Sequence, residues 1–136
     1  MQLNDLYGLA ARQGIKVHSA KCPNSAAMCL NTDYGTFIGL DSHIFKNESR
    51  ERLVLAHELA HHLTNAYYDR HDNDINVKRM EFRATKKQIE LLIPFDELDA
   101  FLFEDCTVWD VAEHFDVPPE LVKTAMWVYY KREVEI

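Results

Sequence analysis

Cysteine, glycine and proline are all scarce in this chain, at three, four and four residues in 136. So few glycines and prolines exclude collagen-like, linker-rich and low-complexity architectures. Three cysteines are too few, and an odd number, for a disulfide framework, and the reading for Cys22, Cys29 and Cys106 is of small, structurally incidental thiols. Bases are also short, with 15 Lys and Arg against 22 Asp and Glu and a net charge of −7. That balance argues against broad binding to nucleic acid or to anionic membranes. No apolar run approaches the roughly 18 residues of a membrane helix. The N-terminal stretch lacks a basic segment followed by an apolar one, so no secretory signal and a cytoplasmic setting are expected. What remains is an ordinary soluble composition, 47% hydrophobic and 27% charged. Its length predicts one domain over residues 1–136 with its own core.

The patterning divides that domain into three stretches. Residues 1–46 read as a helix, with Asn4 or Asp5 as its cap and Gly14 as its stop, followed by a small antiparallel sheet of about three strands near residues 15–18, 27–31 and 36–40. Cys22, Pro23, Asn24 and Ser25 read as a loop, and Asp33-Tyr34-Gly35 as a hairpin turn. In residues 47–103 the period turns helical. Asn47 or Ser49 caps a helix ending near Leu63, a polar loop runs over residues 69–74, a second helix covers about 76–92 to a stop at Pro94, and a short one covers 95–103. Residues 104–136 offer two helices near 107–115 and 118–130. Strands early and helices late predict an α+β fold.

The first of the central helices carries His57-Glu58-Leu59-Ala60-His61-His62, an HExxH motif. Residues four apart share a helix face, so His57 and His61 can turn their imidazoles to one ion. Glu58 is rotated by about 100° from His57, beside the ion rather than on it, within reach of a water there. Zinc lowers the pKa of such a water to about 7, and an adjacent carboxylate can accept its proton. A catalytic zinc needs a third protein ligand and an open position. The carboxylates that compete for that role are Asp69, Asp72 and Asp74 in the polar loop, and Glu81 and Glu90 on the return helix. Glu81 is favoured because it lies near the start of that helix, where the chain comes back past His61.

Taken with Glu81-Phe82-Arg83-Ala84 and Leu91-Leu92-Ile93-Pro94, the motif resembles the ImmA/IrrE metallopeptidases of prophages and mobile elements. The resemblance covers most of the chain. It implies a zincin-like fold with the metal site on two helices, a zinc ion on His57, His61 and Glu81, and Glu58 as general base. It also implies cleavage of a protein partner, a helix-turn-helix transcriptional repressor. The family pattern has Asp or Asn where Thr85 stands, a position able to orient a ligand histidine, and an aromatic or small apolar residue where Lys87 and Gln88 stand. From another class comes a metal-stabilised regulatory module that binds a repressor or toxin partner without turnover. An intact Glu58 favours the enzyme.

Weaker signals surround the motif. His62 points about 100° away from His61 and reads as an exposed or capping residue. Tyr67, Tyr68 and His71 are the nearby groups able to donate to an oxyanion, though each fits an ordinary packing or loop role. His18, His43 and His114 have no useful partner spacing. The last two helices have a helix-turn-helix cadence, but residues 104–136 hold eight acids and three bases. Duplex binding depends on basic side chains neutralising phosphates, so these helices are expected to pack or to meet a protein rather than to read DNA. Trp127, Tyr129 and Tyr130 read as core.

Overall fold

The computed structural model describes residues 1–22, 25–69 and 71–136. The loop residues Pro23 and Asn24, and Arg70 of the polar loop, lie outside the described residues. The chain divides into two units, Met1–Gln88 and Ile89–Ile136.

In the first unit, helix α1 spans Leu3–Arg12. The capping residue is Gln2 rather than Asn4 or Asp5, and Asp5 reaches back one turn to accept the Gln2 amide at 2.9 Å. Three strands follow, β1 (Ile15–Ala20), β2 (Ala27–Thr32) and β3 (Gly35–Asp41). The β2–β3 hairpin turns at Gly35, whose φ of +123° is closed to most side chains.

The sheet is mixed, which corrects the expected antiparallel one. Its order is β1-β3-β2, with β1 parallel to β3 and β2 antiparallel to it. The physical reason lies in burial. Thr36, Ile38, Gly39 and Leu40 of β3 are buried whereas β2 has no buried residue, so β3 takes the centre and β1 must pair on its far side. Strand β2 is left as an edge.

A 3₁₀ turn over Ser42–Lys46 leads into α2, Glu48–Leu63. Of the two expected caps, Asn47 serves, its side chain accepting the Arg50 amide at 3.1 Å. Arg52, Leu55, Ala56, Leu59 and Ala60 form the buried stripe of α2, the i, i+3, i+4, i+7, i+8 spacing of an amphipathic helix. That stripe packs against the sheet and α1. Helix α3 runs over Asp74–Leu92, starting two residues earlier than its periodicity suggests.

The second unit contains α4 (Phe95–Phe101), α5 (Val108–Phe115) and α6 (Pro119–Tyr130). Thr107 and Asp110 close a capping box on α5, and α5 packs on α6 through Val111, Phe115, Val122 and other buried apolar residues. The Tyr129 hydroxyl donates to the Ile93 carbonyl and that of Tyr130 to Asp99, both at 2.8 Å. Trp127 departs from the expected core. It is exposed, with the Lys131 ammonium 5.9 Å from its ring centre. Among the described residues no helix is long and apolar enough to cross a membrane. Strands then helices in one chain make the fold α+β, as expected.

Because Asn47 holds the start of the helix that carries the HExxH motif, Asn47→Ala should lower stability by about 1 kcal/mol, whereas Asn47→Asp should be nearly neutral. Denaturant unfolding of the two variants beside wild type measures this.

Candidate metal centre

The two histidines sit on the side of α2 next to its buried stripe, one turn apart. Their rings meet edge to face, with centroids 4.8 Å apart. The Nε2 atoms of His57 and His61 are 3.2 Å apart, and Glu81 of α3 places one carboxylate oxygen 3.0 Å from His57 Nε2 and the other 3.2 Å from His61 Nε2. Of the competing carboxylates, Glu81 is therefore the one that reaches the histidines. Among the described residues these three form the one group of metal-ligating side chains close enough to share an ion.

Their spacing suits a tetrahedral ion. Bonds of 2.0–2.1 Å to nitrogen and oxygen put neighbouring ligand atoms about 3.3 Å apart. The donor set of two imidazoles and one carboxylate is one that catalytic zinc sites use, with the fourth position open.

Each imidazole is also oriented from behind. His61 Nδ1 lies 2.7 Å from the Ala66 carbonyl and His57 Nδ1 lies 3.3 Å from Gln88 Oε1. An acceptor at Nδ1 keeps the proton there and leaves Nε2 free to ligate. Gln88 is itself fixed, donating to the Leu53 carbonyl at 2.9 Å, and is buried. Thus Gln88, and not Thr85, does the orienting on α3.

The Ala66 carbonyl is brought there by the way α2 ends. Asn65 adopts a left-handed φ of +53°. The Asn65 amide returns to the His62 carbonyl at 3.1 Å and the Ala66 amide to the His61 carbonyl at 2.9 Å, the bond pair of a Schellman stop. The chain folds back over the last turn and its next carbonyl meets His61. Arg83 of α3 adds a further tie, donating to the Thr64 carbonyl at 2.7 Å, a cation at the carbonyl end of α2.

Electrostatics separates the two glutamates. The histidines beside Glu81, His57 first, hold its carboxyl far below the usual range, with the Tyr68 hydroxyl assisting against the effect of burial. Burial raises the Glu58 carboxyl above its ordinary value, against the pull of His61 and His57. At His61 burial disfavours the charged ring, but Glu81 and the Ala66 carbonyl outweigh it and the pKa is raised.

Among the weaker candidates, Tyr68 donates to Glu81 at 2.5 Å and its phenol is pushed up to about 12, chiefly by that bond. Tyr67 pairs with His62 Nδ1 at 2.9 Å, and His62 is not part of the ligand group. Both tyrosines, with Glu58, His61 and Glu81, line a cavity of about 200 Å³ whose opposite wall is Ala27, Met28 and Cys29 of β2. His71 is not among its lining. Cys29 is therefore part of the site wall, and burial raises its thiol pKa to about 11.

A pair of helix-borne histidines and a carboxylate from a second helix, with a partly buried glutamate beside them, fit a metal site of the kind metallopeptidases use. The chain belongs to the Peptidase_M78 family, whose model, described as an IrrE N-terminal-like domain, matches residues 10–126. No curated protein and no solved structure matches it.

Two substitutions probe the orienting bonds. Gln88→Ala should weaken metal binding by about 10–100-fold while the fold persists, measured by titration against a coloured chelator. Asn65→Val forces a β-branched residue into left-handed backbone at a cost of about 1–2 kcal/mol and should weaken metal binding with it. Asn65→Gly should preserve both, and thermal melts with the same titration compare the pair.

Proposed function

We propose that the protein is a zinc-dependent endopeptidase, held in the cytoplasm, that cuts a helix-turn-helix repressor of a prophage or mobile element. One observation carries the peptidase reading. Glu58, His61 and Glu81 line one open cavity whose far wall is the edge strand β2, and His57 completes the ligand group from the adjoining cavity that Glu58 also lines. A water-activating carboxylate, a ligand set and a place for an extended chain thus lie side by side.

His57, His61 and Glu81 would hold the ion. A bound divalent ion supplies Lewis acidity, polarising the scissile carbonyl and making water acidic enough to surrender a proton near neutral pH. Glu58 takes the proton of the attacking water and delivers it to the nitrogen of the leaving amine, so that one carboxyl serves as base and then acid. The Gln88 amide and the Ala66 carbonyl keep the two rings in the ligating tautomer throughout. The outer edge of β2 offers unpaired backbone groups to a substrate lying extended beside it.

The choice of partner is supported by charge and by the resemblance to ImmA/IrrE peptidases. The acid excess of residues 104–136 suits a basic, DNA-binding protein, since opposite charge steers encounter.

Glu58→Gln keeps shape and polarity but removes the proton acceptor. With zinc content unchanged, cleavage of the repressor should fall about 10²–10⁴-fold, followed by gel and by metal analysis of the same samples. Undiminished partner binding without cleavage by wild type would instead favour a regulatory module that acts without turnover.

A further inference from the structure

A second cavity, of about 270 Å³, opens on the other side of Glu58. Its apolar wall is built by Ala26 and Ala27 at the start of β2 and by Leu53 and Val54 one turn before His57. His57, Glu58 and Gln88 form the side nearest the metal centre. Ala27 and Glu58 line both cavities, so the two adjoin along β2. An extended chain following that edge past Glu58 would lay one side chain into the metal cavity's neighbour.

The chemistry of this second cavity is one-sided. Apart from Glu58, which both cavities share, its polar side chains are already engaged. Ser25 donates its hydroxyl to the Ala27 carbonyl at 2.9 Å, and Gln88 bridges His57 and Leu53. His57 is occupied at both nitrogens, by Gln88 and by Glu81. A polar or charged side chain entering here would leave water and find, among the described side chains, only Glu58 not already hydrogen-bonded; an acid would be repelled by it, and a lysine that paired with it would take up the base the reaction needs. An apolar one would gain from burial against Leu53 and Val54. The volume is ample, since a cavity of about 150 Å³ accommodates a benzene ring.

We infer that this cavity is the specificity subsite of the peptidase, and that it selects a medium-sized apolar residue, of the leucine, methionine or phenylalanine kind, directly beside the scissile bond. The inference rests on the peptidase reading above. Of the two cavities flanking Glu58, the metal side supplies the chemistry and this one supplies the choice of bond.

The test is cleavage of a random-sequence peptide mixture by the zinc-loaded protein, with cut sites read by mass spectrometry. Leucine, methionine and phenylalanine should exceed aspartate, glutamate and lysine at least tenfold at one position flanking the cut. Ala26→Leu and Val54→Phe, which fill the cavity from two different elements, should shift that preference to alanine or glycine. The larger residues should then lose about 10–200-fold. Zinc content and melting temperature, measured on the same samples, should match wild type. Cleavage with no apolar preference at either flanking position overturns the subsite while leaving the peptidase reading intact. So does a preference that well-folded variants leave unmoved. Failure of the zinc-loaded wild type to cut any peptide overturns both. Should both variants misfold, the wild-type preference decides alone.

Discussion

Three side chains from two helices approach one another to 3.0–3.2 Å, and this convergence constrains most of the first unit. Helix α2 must be buried on one stripe so that the adjoining side can present two imidazoles at a fixed pitch. Helix α3 must return close enough for a glutamate side chain to reach both rings. The Arg83 bond to the Thr64 carbonyl ties α3 to the end of α2. With both rings protonated at Nδ1, their Nε2 lone pairs and the Glu81 carboxylate face one another as acceptors, an arrangement that suits a cation between them.

The two rings are secured by different means, and the difference follows their exposure. The side chain of His61 is 9% exposed and is held by a main-chain carbonyl, whereas that of His57 is 24% exposed and is held by a glutamine. A carbonyl delivered by a helix stop cannot be lost by substituting the residue that carries it; it depends on Asn65 tolerating a left-handed φ. The bond at His57 depends on one side chain and on the Leu53 carbonyl that anchors it. Glu81 is the most exposed of the three at 37%. The group therefore grades from a buried, backbone-fixed ligand to an open one facing the cavity.

Legibility in the sequence followed how local each signal was. The ends of α2, a cap at Asn47 or Ser49 and a stop near Leu63, were readable because capping and periodicity act within one or two turns. The pairing of β2 with β3 was readable from Gly35 for the same reason. The place of β1 was not, because parallel pairing joins residues some twenty apart and leaves no turn signature; the burial of most of β3 decided it. Gln88 is two turns from Glu81 and so on the same face of α3. Its amide one turn from both Ala84 and Leu92, on the apolar face of α3, was a usable signal, but the bond it makes spans 31 residues. The Ala66 carbonyl belongs to the backbone and has no side-chain signature; only Asn65, as a residue that accepts left-handed backbone, hinted at it. Trp127 was misplaced because an aromatic residue on an amphipathic helix fits either side when Lys131 can cover its ring.

In the proposed mechanism one residue type fills two roles within one site. A carboxylate that ligates must stay ionised, and Glu81 does so because two imidazoles and a tyrosine hydroxyl stabilise its charge. A carboxylate that receives and returns a proton must not be so strongly stabilised, and burial moves Glu58 in the opposite direction. Environments that drive paired acids apart in this way are how acid–base assignments are divided in hydrolytic sites. The separation is built by the helix itself. Glu58 is one residue past His57, hence rotated by about 100°, out of the ligand triangle and onto the wall that both cavities share. Moving that carboxyl to the ligand positions, or Glu81 to the wall, would exchange their environments and with them their roles. The proposed mechanism thus depends on the register of a single turn of α2.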